Sequence, residues 1–258
     1  MISLIVIVGA GLAARYGTQL FMRDGLPAAQ LALTSDEEIV ERLEQQILQD
    51  TTGHFFVRMR ARFPNDYEDF LEGMVPIIRG GGELQQQREA AFAYAQTYMA
   101  NFVRRQRPLM RRAEPQYVSN WVVAQSSALN ALATTSPQAC AEIVEFGSVT
   151  PQTGTSVYPN ITQQLEQSVS AVFDMIESGQ RSPQDYAPLT DDEWLQLSDA
   201  ALLSGADPEA IAAVGTPYFA THSATARCSV GTAIYRAISQ ETDPLKRARF
   251  GVAMLADG

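Results

Sequence analysis

The feature that most restricts the fold is how the apolar residues recur: at helical spacing, and almost never in alternation. In "SDEEIVERLEQQILQD", Ile39, Leu43 and Ile47 fall on one helical face, with Val40 and Leu48 beside them. With a period of about 3.6 residues, that spacing makes one continuous stripe, a pattern a strand cannot present. Ser35 with Glu38 forms a capping box at its start, which satisfies backbone donors that a first turn leaves open. Similar start signals return downstream. Ser136-Pro137 and Asp207-Pro208 each place a capping side chain before a proline at the first helical position. Thr190 caps a turn holding Asp191, Asp192 and Glu193, where the helix dipole favours negative charge. The expected fold is all-α: an irregular multi-helix bundle of about eight to ten helices behind a short apolar N-terminal segment.

Punctuation along the chain predicts its organisation. Residues 1–22 form the apolar segment and 23–34 a linker around Gly25-Leu26-Pro27. A helical subdomain is expected over 35–146 and a second over 160–258, joined by the turn-rich stretch 147–159. Pro76 and Pro108 are expected to end or kink their helices, and Gly179 to stop the helix that starts near Asn160. Gly80-Gly81-Gly82 reads as a joint and not a phosphate loop, because no Lys-Ser/Thr follows it. The inner face of the long helix between these points is expected at Leu84, Arg88, Ala91, Ala95, Met99 and Phe102.

"MISLIVIVGAGLAARYG" supports three readings. Ile2, Leu4, Ile5, Val6, Ile7, Val8 and Leu12 make a charge-free apolar run. It is the length of a signal-peptide core and reaches the roughly 20 residues of a membrane span only if Arg15 sits at an interface. A second reading is a buried core segment. In the third, Gly9, Gly11 and Ala14 match the G-x-G-x-x-A turn of a dinucleotide-binding domain. That turn requires a second strand ending in an acid about 20 residues on, and the stretch there, "AAQLALTSDEE", instead runs into a helix start. The anchor or signal reading is preferred.

A net charge of −10 does not favour nucleic acid as a partner, because phosphate binding needs a basic face. The two cysteines, Cys140 and Cys228, fit no metal-binding spacing. They are either buried reduced thiols or one disulfide of an oxidising compartment. A bridge would close a loop of about 90 residues, stabilising by up to about 4–5 kcal/mol in the chain-entropy model.

Catalytic signals are sparse. His54 and His222 have no partner histidine at metal spacing. His222 with Cys228 would be a nucleophile pair only if brought together. The acid pairs Asp191-Asp192 and Glu142 with Glu145 fit solvated helix faces. No catalytic residue, metal or cofactor is assigned. The clearest charge feature is "RRQRPLMRR": Arg104, Arg105, Arg107, Arg111 and Arg112. Guanidinium forks of this kind bind carboxylates, phosphates or lipid headgroups, and they equally serve a helix C-terminus or internal ion pairs.

The expectation is a non-catalytic protein-interaction module of the cell envelope, membrane-anchored or periplasmic, serving as an accessory subunit of a larger complex. The alternatives are a dinucleotide-using enzyme and a cytoplasmic helical scaffold.

Overall fold

The computed structural model describes residues 34–49, 54–80 and 83–255. The apolar run from Ile2 to Leu12, the Gly9, Gly11 and Ala14 turn, and the linker up to residue 33 lie outside the described residues. Among the described residues every regular element is helical. The order is α1 (Asp36–Gln49), α2 (His54–Arg62), α3 (Pro64–Arg79), α4 (Leu84–Met110), α5 (Pro115–Thr135) and α6 (Pro137–Phe146). There follow α7 (Pro151–Val157), α8 (Thr162–Arg181), α9 (Asp191–Leu203), α10 (Pro208–Ala212), α11 (Ala224–Gln240) and α12 (Pro244–Ala253). Two 3₁₀ turns, Tyr158–Ile161 and Pro217–Thr221, interrupt the second half. The described residues therefore supply no sheet on which a dinucleotide turn could be mounted.

The start signals act as read. The Ser35 hydroxyl accepts from the Glu38 N–H at 3.2 Å. Ser136 caps α6, Asp207 caps α10, and Thr190 with Glu193 completes a reciprocal capping box on α9. The stripe of Ile39, Leu43 and Ile47 in α1 is buried as expected, and α8 buries Leu165, Val169, Val172, Phe173 and Ile176 along one face. In α4 the inner face holds Ala91, Ala95, Met99 and Phe102, with Phe92 and Val103 beside them.

Three punctuation marks behave differently. Pro76 and Pro108 lie inside α3 and α4, which continue to Arg79 and Met110. Each sits in the last turn, where little helix remains to be disrupted. Gly179 does not stop α8, which runs to Arg181. A Cβ at Gly179 would lie 2.0 Å from the Leu109 carbonyl oxygen, so the bare glycine lets α8 press against the end of α4. Residues 151–157, expected within a turn-rich connection, form α7.

α5 is the hub, packing against α6, α8, α11 and α12. Trp121 at its centre is fully buried and meets Tyr235 of α11 edge-on, with ring centroids 5.8 Å apart. A second aromatic group, Phe63, Phe102 and Phe173, joins the N-terminal helices to α8. Arg58 of α2 lies over the Phe173 ring and bonds Ser170 and Asp174 of α8. One continuous apolar core runs from Ile39 to Leu255, across both expected subdomains. Each large side chain buried in it contributes about 1.5–3 kcal/mol relative to exposure.

The cysteines close the hub. Cys140 of α6 and Cys228 of α11 lie with sulfurs 2.06 Å apart, both side chains buried, 88 residues apart in sequence. The sulfur of Cys228 is thus turned toward Cys140, at disulfide distance. Among the described residues no helix is long and apolar enough to cross a membrane.

Candidate functional site

The arginine run at the end of α4 does not form one patch. Arg105 turns to Asp66 of α3 and donates to its carboxylate. Arg112 faces Asp185 in the loop before α9, at 3.9 Å. Arg111 is exposed at the C-cap. Arg104 and Arg107 point another way, into a cleft of about 430 Å³.

One wall of this cleft is a stripe of α4 at helical spacing: Ala93, Gln96, Thr97, Ala100, Asn101 and Arg104. The opposite wall is the connection from α6 to α7, residues 146–151. Its path is set locally. Gly147 adopts φ 70°, the left-handed conformation that glycine enters without strain, and its N–H returns to the Ile143 carbonyl at 2.8 Å. The Glu142 carboxylate accepts from the Thr150 N–H at 3.0 Å, which pins the far side of the turn. α7 then lies directly on α4, because Gly154 has no Cβ to collide with the Phe92 ring. The alanines at 93 and 100 leave the gap that larger side chains would fill.

The charged side chains lining the cleft are Arg104 and Arg107. No Asp or Glu lines it. Arg104 donates to Asn101 Oδ1 at 3.1 Å, one turn back. Among the described residues it has no carboxylate within ion-pair distance, unlike Arg58, Arg79, Arg105, Arg227 and Arg249. Phe146 stands at the rim with 65% of its surface exposed.

The other candidate groups have structural partners. Glu142 anchors the α6–α7 turn, and Glu145 accepts from Arg227 of α11 in a pair that is about 13% exposed on each side. Asp191 and Asp192 are exposed in the first turn of α9. His222 ends the second 3₁₀ turn. Burial pushes the hydroxyls of Tyr67, Tyr94, Tyr98 and Tyr186 up to about 12, which keeps them protonated near neutral pH. Those of Tyr94, Tyr98 and Tyr186 donate to backbone carbonyls. Among the described residues no three His, Cys, Asp or Glu side chains converge on a metal position.

Sequence reading picked out Arg104 and Arg107 but missed Gln96, Thr97, Asn101 and Phe146. The polar residues were legible as a stripe one face away from the buried one. The wall carrying Phe146 lies some 40 residues later, and only the tertiary fold brings it across. In comparisons with protein families, curated proteins and solved structures, nothing matches this chain.

Proposed function

We propose that this chain is a helical protein-interaction module of the cell envelope, tethered or exported through residues 1–22 and serving as an accessory subunit. The observation that carries the reading is the outer face of α9. Leu195 and Leu203 are 64% and 92% exposed, with Leu202 beside them. Asp192, Leu195, Asp199 and Leu202 share that face at helical spacing. An exposed apolar helix face is costly for a monomer to keep in water, and such surfaces mark interaction sites. α9 carries Asp191, Asp192, Glu193 and Asp199 and no basic residue. The complementary partner is a protein with an apolar groove rimmed by Lys or Arg. The buried Cys140–Cys228 pair supports an oxidising compartment.

A photo-crosslinking residue placed at Leu195 or Leu203 in native cells tests this. One discrete species, joined through a peptide with apolar and basic residues, is the expected product. The same residue at Val123, exposed on α5, should give none. Equal and diffuse labelling from both surfaces would remove the proposal.

A further inference from the structure

We infer that the cleft between α4 and the α6–α7 connection binds a small organic carboxylate, with Arg104 as its charge partner. Three properties of the cleft point to that class.

The first is the state of the guanidinium. Arg104 uses one hydrogen bond, to Asn101 Oδ1, which steadies the side chain over the cleft. A guanidinium has five donors in a planar fork, so a pair remains for the two oxygens of a carboxylate. Its neighbour Arg105 meets Asp66 of α3. Arg104 meets no acid of this chain among the described residues, and a ligand acid fills that role.

The second is the field. Arg104 and Arg107 are the charged side chains of the lining, and no Asp or Glu is among the lining residues. Arg104 therefore offers an anion a cation on a chain that carries −10 overall. An anion is held there and repelled from most of the remaining surface.

The third is the rest of the lining, which decides between anions. Ala93, Ala100, Val149 and Pro151 are apolar, and the Phe146 ring stands open at the rim. Free phosphate would leave these walls unused. A compact hydrocarbon or aromatic body attached to the anion would cover them and lie against Phe146. Gln96, Thr97 and Ser148 offer hydrogen bonds to a polar substituent of that body. A volume of about 430 Å³ falls within the range of small-molecule sites.

The test is isothermal titration of the full chain with phenylacetate, neutral phenylethanol, inorganic phosphate and phosphatidylglycerol vesicles. The chains compared are the parent, Arg104→Gln, Phe146→Ala and Arg111→Gln. Phenylacetate should bind with a Kd below about 1 mM. Arg104→Gln should weaken it by about tenfold or more, the loss of one charge-assisted pair. Phe146→Ala should also weaken it, and Arg111→Gln, outside the cleft, should leave it unchanged. Phenylethanol should not bind. Unchanged affinity in Arg104→Gln would overturn the inference, as would no binding of phenylacetate. Phosphate binding as tightly as phenylacetate would overturn the carboxylate class. Arg104-dependent binding of vesicles but not of phenylacetate would reassign the cleft to a lipid surface.

Discussion

Tyr235 has a hydroxyl that the fold buries completely and that meets no hydrogen-bond partner among the described residues. Burial raises its pKa far above the usual tyrosine range, so the group stays a neutral donor with nothing to donate to. Removing it should cost nothing and can gain about 1 kcal/mol, because the desolvation penalty disappears with the oxygen. Tyr235→Phe is expected to unfold in urea at or above the parent midpoint. Glu145→Gln should do the reverse. It leaves the Arg227 guanidinium largely buried beside a neutral amide and should lose about 3 kcal/mol by the same measurement. A pH effect belongs at this scale too. The Glu193 carboxyl accepts from the Thr190 N–H and pairs with Arg249, which hold it below its ordinary 4.5. A carboxyl with a lowered folded-state pKa contributes stability above pH 4.5 and loses it as pH falls through the lowered value. Glu193→Gln should therefore melt lower than the parent near neutrality. The gap should close as the solution is acidified below that range.

At the scale of elements, helix existence was legible and helix contact was not. The stripe of Ile39, Leu43 and Ile47 and the caps at Ser35, Ser136, Thr190 and Asp207 are local properties, and the helices form where they point. Gly179 is the instructive failure. Its meaning is set by Leu109, 70 residues away, whose carbonyl oxygen would meet any Cβ at 2.0 Å. A backbone atom cannot swing aside. Gly179→Ala should lose about 2 kcal/mol or more through forced separation of α8 and α4. Gly73→Ala is the comparison: there the obstruction is a side chain, the Tyr94 ring and hydroxyl, which would have to give up its bond to the Phe70 carbonyl. Its loss should be smaller than that of Gly179→Ala. Thermal unfolding of both variants reads the difference.

At the scale of the molecule, the core and the Cys140–Cys228 pair each join residues on both sides of the turn-rich stretch 147–159. α5 belongs by sequence to the first half and packs mainly against helices of the second. Composition could not show this, because turn-rich residues mark a local bend equally well inside a core and between cores. The candidate cleft was half legible for a related reason. The arginines stand out by charge, while their division between Asp66, Asp185 and the cleft depends on which helix each one meets. Replacing Cys140 and Cys228 together with Ala should lower stability by about 2–5 kcal/mol, since the unfolded chain regains the freedom of a long loop. Chemical denaturation with and without reductant measures it.

We propose that this helical body works in an oxidising compartment, with Cys140 and Cys228 bonded across α6 and α11. The most direct measurement is the intact mass of natively expressed protein after thiol alkylation without reductant. Cys140 and Cys228 should take up no label until a reductant is added, and then one label each. Full labelling of both thiols on the folded protein before reduction would contradict the claim.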